Sequence, residues 1–174
     1  MPQIRRKMKG EEPRRRAQQE GDAISLLKAD HRQVEKLFDQ FKSIKSGKAV
    51  VRKQELVTAA CAALKVHTML EEELFYPALR RAFDETDLID EAEVEHASVK
   101  VLIGELESMT PADRLFDATF AVLTEYVKHH VKEEEGEIFP KAKKMVDMEA
   151  LGTRMAIRKK ELQANNTKGD LGRN

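Results

Sequence analysis

Residues 67–77 read His67-Thr68-Met69-Leu70-Glu71-Glu72-Glu73-Leu74-Phe75-Tyr76-Pro77, and residues 130–140 read His130-Val131-Lys132-Glu133-Glu134-Glu135-Gly136-Glu137-Ile138-Phe139-Pro140. The two stretches repeat one another. Each opens with His, places Glu four residues on, and reaches Pro ten residues after the His with a Phe close by. In an α-helix, positions i and i+4 stand on the same face one turn apart. Each stretch therefore presents an imidazole nitrogen and a carboxylate oxygen to one point. The repetition predicts two helices related by an approximate twofold across a shared site.

Both stretches sit inside longer amphipathic segments. A first helix is predicted from Asp22, as N-cap, to Ser46, with Ile24, Leu27, His31, Val34, Phe38 and Phe41 at a 3-4-3-4 spacing and Ser46-Gly47 as its stop. A second runs from Val50 to Phe83, with Ala60, Leu64, His67, Glu71 and Leu74 inward; Pro77 is expected to kink it or to mark where its last turns loosen. A third covers Asp87 to Ser108, with Ile89, Ala92, His96, Val99, Ile103 and Leu106 on one stripe. The fourth is predicted to open with Thr110 as N-cap and Pro111 at the first helical position. It carries Phe116, Thr119, Leu123, Tyr126, His130 and Glu134 inward and fades after Met145. Helices of roughly 20 to 35 residues joined by short loops predict an all-α, up-down-up-down four-helix bundle over residues 22–146. Residues 1–21, with Arg5-Arg6-Lys7 and Arg14-Arg15-Arg16 and almost nothing to bury, are expected to be a disordered charged arm. Residues 147–174 are expected to be a C-terminal tail, with a short helix through Leu162 and a disordered end from Asn165.

The composition, 41% hydrophobic, 36% charged and 5% aromatic without Trp, suits amphipathic helices rather than sheets. The 31 basic and 31 acidic residues cancel, which argues for neither nucleic acid nor a membrane as partner. No feature points to a particular protein partner. With no apolar leader and no stretch long enough to cross a bilayer, a cytoplasmic location is expected. The single cysteine, Cys61, lies in the apolar run Ala59–Leu64 and reads as a small core residue in a reducing compartment.

Each predicted helix sets one His into its apolar stripe: His31, His67, His96 and His130. A carboxylate in a dry core costs several kcal/mol unless it is paired or bound to metal. No Lys or Arg shares the stripes that hold Glu71 and Glu134. A cation would neutralise them, with four neutral imidazoles as further donors. Four nitrogens and two carboxylates able to bridge suit two metals close together. Zn or Mn could fill such a set as well as iron. A lone His in an apolar stripe is usually a satisfied core residue, and a lone His-x-x-x-Glu a surface pair; one His per helix with the unit duplicated favours a metal centre. Tyr126, four residues before His130, either brings its hydroxyl to the metals as a third ligand or outer partner, or bonds a neighbouring backbone group. Glu35 is read as a helix-surface acid or an outer partner of His31. His129 is turned about 100° from His130 and should face solvent. Glu72, Glu73, Glu133 and Glu135 read as a solvated negative flank that draws cations in.

These residues resemble the hemerythrin-like, HHE cation-binding family. The resemblance rests on Asp30-His31, His67-x-x-x-Glu71 with Pro77, Glu95-His96, and His130-x-x-x-Glu134 with Phe139-Pro140, in that order, between Ile24 and Met145. It implies a four-helix bundle around a non-haem centre of two iron ions, oxo- or hydroxo-bridged. His31, His67, His96 and His130 would be terminal ligands and Glu71 and Glu134 would bridge. Members of the family bind dioxygen, sense oxygen or redox state, handle iron, or act on peroxide or nitric oxide. Oxygen carriers of the family use a fifth His four residues after that of the third helix, and Lys100 stands there in this chain, where a charged ammonium cannot ligate. Carriers also place an Asp one residue beyond the position of Glu134. The resemblance therefore implies open coordination positions and reaction with, or sensing of, dioxygen, peroxide or nitric oxide rather than oxygen carriage. As an enzyme the protein would decompose peroxide in a catalase-like way; the alternative is a non-catalytic iron-binding redox sensor or iron buffer.

Overall fold

The computed structural model describes residues 21–44 and 49–171. The expected N-terminal arm, apart from Gly21, and the expected stop at Ser46-Gly47 lie outside the described residues. Those described form helices and short connections, with no strand among them. None of these helices is long and apolar enough to cross a membrane.

Helix α1, Ala23–Lys42, starts where expected: the Asp22 carboxylate accepts the Ser25 N–H at 2.8 Å. Helix α2, Val50–Leu70, passes through a π-helical turn, Glu71–Phe75, into α3, Tyr76–Ala82. Helix α4 spans Asp87–Ser108, the predicted bounds. Helix α5, Phe116–Glu133, passes through a second π-helical turn, Glu134–Ile138, into α6, Phe139–Met145. Helix α7 covers Met148–Leu171.

Three differences from the sequence expectation have physical causes. The signal at Thr110 closes a turn, not a helix. The Asp113 carboxylate accepts the Thr110 N–H at 2.7 Å and its hydroxyl at 3.0 Å, and regular helix begins at Phe116. The prolines follow a widened turn, an insertion the helical spacing does not predict. Pro77 and Pro140 stand in the first turn of α3 and α6, and just before them the Tyr76 N–H bonds the Glu71 carbonyl and the Phe139 N–H bonds the Glu134 carbonyl, five residues back. The tail is no appendage. Leu151, Met155 and Leu162 form a buried stripe on α7, and the helix runs on past Leu162 to Leu171.

Helix α7 packs on α1 and α2, and Gly152 permits the crossing. A Cβ there would lie 2.6 Å from the Ala23 nitrogen and 2.8 Å from the Gly21 oxygen, inside contact distance of rigid backbone.

The core divides in two. One cluster gathers Leu27, Leu70, Phe75, Leu79, Ile89 and Phe139 with the inner face of α7; the other gathers Val34, Phe38, Leu64, Val99, Phe120 and Leu123. Each inward His falls between a residue of one cluster and a residue of the other along its own helix, His31 between Leu27 and Val34, for example. A polar layer thus crosses the middle of the bundle with apolar packing above and below.

Candidate metal centre

That layer contains six fully or nearly buried polar side chains from four helices and their π-helical turns: His31, His67, Glu71, His96, His130 and Glu134. The structure brings together all six candidate ligands. The imidazoles face each other in two pairs. His31 and His67 stand with their Nε2 atoms 3.2 Å apart, and so do His96 and His130. The carboxylates connect the pairs. Glu71 Oε2 lies 3.1 Å from His67 Nε2 and 3.3 Å from His96 Nε2. Glu134 Oε2 lies 3.3 Å from His31 Nε2 and 3.9 Å from His130 Nε2. Donor atoms of His31, His67, Glu71 and Glu134, and separately of Glu71, His96 and His130, all fall within 4.8 Å of one another.

The outer nitrogens explain why the inner ones converge. The His31 Nδ1–H donates to Glu135 at 2.8 Å, His96 Nδ1–H to Glu72 at 3.0 Å, and His130 Nδ1–H to Glu95 at 2.8 Å. A carboxylate only accepts, so each of these three rings keeps its proton on Nδ1 and turns the Nε2 lone pair inward. His67 is the exception: its Nδ1 stands 3.8 Å from Asp30 Oδ2, and neither atom has a hydrogen-bond partner.

The electrostatics of the two carboxylates follow from their burial. Glu71 and Glu134 are wholly buried, and none of their four oxygens accepts a hydrogen bond. Burial raises the Glu71 carboxyl, but the His67 and His96 imidazoles outweigh it and hold Glu71 well below the ordinary range. Burial and the charge of Glu71 push Glu134 up. Burial would depress the His67 imidazolium, yet Glu71, Asp30 and Glu134 outweigh it and His67 is pushed up to about 10. The shifts have opposite signs because the buried carboxylates face imidazoles and one another; a cation held among them would supply charge to the same groups. Two orphaned carboxylates and four imidazoles form a donor set that fits a borderline divalent or trivalent cation.

Several assignments shift. Tyr126 is not brought to the site: it is 48% exposed, and Val127 takes the inward place beside it. This corrects the reading of Tyr126 as a metal partner. The tyrosine at the centre is Tyr76, wholly buried, with its O–H 3.4 Å from His96 Nε2. An ideal helix turns Tyr76 about 180° away from His67 over nine residues; the π-helical turn absorbs one residue and brings it back to about 80°. Phe139, nine residues after His130, takes the equivalent place and stacks on His31 with ring centroids 5.8 Å apart. Glu72 and Glu135, expected in a solvated flank, instead hold the outer nitrogens of His96 and His31. Lys100, at the position of the carriers' fifth His, pairs with Glu72 at 2.6 Å. Asp30 and Glu95 carried a signal in the sequence, each directly preceding an inward His. Glu35 is exposed, Glu73 pairs with Arg158, and the exposed His129 meets Glu133 at 3.2 Å.

A cavity of about 20 Å³ adjoins the four imidazoles, walled by Val34, Leu64, Val99 and Val127. It has room for about one water-sized molecule.

An all-helical chain with paired imidazoles and bridging carboxylates in its core belongs to the class of helical proteins that can hold cations between their helices. More narrowly, it belongs to the hemerythrin HHE cation binding domain family, whose sequence pattern matches residues 22–142. The fold is similar to the crystal structure of a hemerythrin HHE cation binding domain-containing protein from Mycobacterium kansasii, with a TM-score of 0.71 and 22% identity over 83% of this chain and 89% of that one. The chain is also 26% identical over 114 residues to a DNA nickase from Nostoc sp.. That match spans 66% of this chain and 31% of the nickase's length.

Proposed function

We propose that this protein binds two iron ions in the layer between its two cores, on an up-down-up-down arrangement of α1, α2, α4 and α5, and reacts with or senses a small oxidant: dioxygen, peroxide or nitric oxide. The observation that supports two ions is the way Glu71 and Glu134 each stand between the two imidazole pairs. His31 and His67 would hold one ion, His96 and His130 the other, and the two carboxylates would be shared. Bound iron would supply redox chemistry and coordination positions open to a small molecule.

The remaining residues support that use. Glu135, Glu72 and Glu95 keep three imidazoles in the tautomer that ligates. The small cavity beside the imidazoles, walled by valines and Leu64, has the volume for a molecule of a few atoms. The Tyr76 O–H offers a buried hydrogen-bond donor on the His96 side, with no counterpart at Phe139.

Elemental analysis of the full chain, purified without chelator or affinity tag, tests the reading. About two irons per chain are expected, and peroxide consumption above that of free iron would identify an enzyme. Iron at that ratio without turnover favours a sensor or buffer. Zinc alone, one metal per chain, or none after anaerobic incubation with ferrous iron would overturn the two-iron reading.

A further inference from the structure

The two halves of the layer are related residue by residue, and the departures from that relation are few. Glu72 holds His96 as Glu135 holds His31, and Lys100 pairs with Glu72 as Lys28 pairs with Glu135 at 3.0 Å. Glu95, just before His96, accepts from His130 at 2.8 Å. By the same relation Asp30, just before His31, should accept from His67. It stands 3.8 Å away instead.

Asp30 is one methylene shorter than Glu95, and it also has a partner on a helix outside the family-matched region. Lys159 of α7 pairs with Asp30 Oδ1, while Asp30 Oδ2 and His67 Nδ1, both buried, are left without hydrogen-bond partners. Closing the gap by about an ångström would satisfy both atoms at an ordinary hydrogen-bond distance. Two buried polar groups that face each other unbonded are costly, and some other contact must hold them apart. The neighbouring residue, Arg158, fixes α7 here by gripping both oxygens of Glu73, at 2.7 and 3.1 Å, in the π-helical turn that follows His67. Beside the Asp30–Lys159 pair lies a cavity of about 260 Å³ over Ala59, Ala62 and Ala63, so the pair has room to move.

We propose that Lys159 is a positioning residue that draws Asp30 off the His67 imidazole, making His67 the least anchored of the four inward histidines and placing it under the control of the C-terminal helix. A His ligand whose outer nitrogen is held by a carboxylate is better oriented and more basic than one that is not. His67 is therefore the ligand most ready to leave, and movement of α7 alters its hold. The metal consequence rests on the two-iron reading above; the Asp30–His67 separation does not.

Two measurements on the full chain separate them. In the metal-free protein labelled with ¹⁵N-histidine, at fixed pH, Lys159→Met should let Asp30 close and move the His67 Nδ1–H proton resonance downfield; Asp30→Glu, restoring the length of Glu95, should do the same. In the iron-loaded protein, transfer of iron to excess chelator should slow about tenfold in Lys159→Met, and the double variant Lys159→Met with Asp30→Ala should lose that slowing. An unshifted resonance in both Lys159→Met and Asp30→Glu overturns the proposal. So does iron release from Lys159→Met that matches wild type, or a slowing that persists when Asp30 is also replaced by Ala. A wild-type chain that takes up no iron removes the two-iron reading, and the resonance then decides the Lys159 contact by itself.

Discussion

Replacing Glu134 by Gln should move stability in opposite directions with and without metal. Glu134 is wholly buried, neither of its oxygens accepts a hydrogen bond, and burial with the nearby Glu71 charge raises its carboxyl above the ordinary value of 4.5. A carboxyl raised in the folded chain carries no penalty below that value; the penalty grows as pH rises from there to the folded pKa and is constant above it. At pH 7, removing the charge while keeping the shape should stabilise the metal-free protein by about 1–3 kcal/mol. For a chain of this length each kcal/mol is worth about 2–4 °C in Tm. Metal at a hundredfold excess over Kd stabilises the wild type by about 3 kcal/mol, or about 5–11 °C. The variant, lacking one shared charge, should lose most of that gain. Thermal unfolding followed by far-UV circular dichroism, with and without ferrous iron under anaerobic conditions, reads both effects. The variant's metal-free advantage should shrink as pH falls toward 4.5. A metal-free variant that melts below wild type, or one that keeps the full metal-induced shift, would refute the reasoning.

Three further outcomes are expected. Gly152→Ala should destabilise the fold, since a Cβ there meets backbone at 2.6 Å, whereas Gly104→Ala, with nothing within 4 Å, should stabilise by about 0.5–1 kcal/mol; chemical denaturation compares them. Burial pushes the Cys61 thiol up to about 12, so at pH 8 a thiol reagent should react roughly a thousandfold more slowly with the native chain than with the unfolded one. Because metal-free His67 is raised to about 10 and must be neutral to ligate, metal uptake at pH 7 should release protons and tighten by up to about tenfold per unit of rising pH for each proton lost. Calorimetric titration in buffers of different protonation enthalpy checks this, and buffer-independent heats would contradict it.

The sequence exposed the centre because burial of ionisable groups is expensive. His31, His67, His96 and His130 stand in stripes that otherwise read apolar, and the spacing to Glu71 and Glu134 is a helix repeat. All six side chains meet in the structure. What escaped depends on departures from ideal geometry. Tyr76 lies on the wrong face of a regular α-helix and reaches His96 only through the π-helical turn. Tyr126 fails for a related reason: four residues is slightly more than a turn, and Val127 takes the burial. Thr110 and Asp113 satisfy one another in a turn, which a capping pattern cannot distinguish from a helix start. Glu72 and Glu135 look like surface acids in a charged run, and only the position of a neighbouring helix shows that they hold imidazoles. Helix α7 was underestimated because Leu151, Met155 and Leu162 are spaced widely among charges.

Each imidazole pair is formed within a hairpin of consecutive helices, α1 with α2 and α4 with α5, while Glu71, Glu72, Glu134 and Glu135 reach from one hairpin to the imidazoles of the other. At the level of this layer the two halves meet through carboxylates from the π-helical turns, and the wholly buried pair among them, Glu71 and Glu134, would repel where both are ionised. A cation turns the same two side chains into stitches. On the two-iron reading proposed above, metal occupancy would be a mechanical variable as well as a chemical one: the ion would also decide how firmly one half of the molecule is fastened to the other.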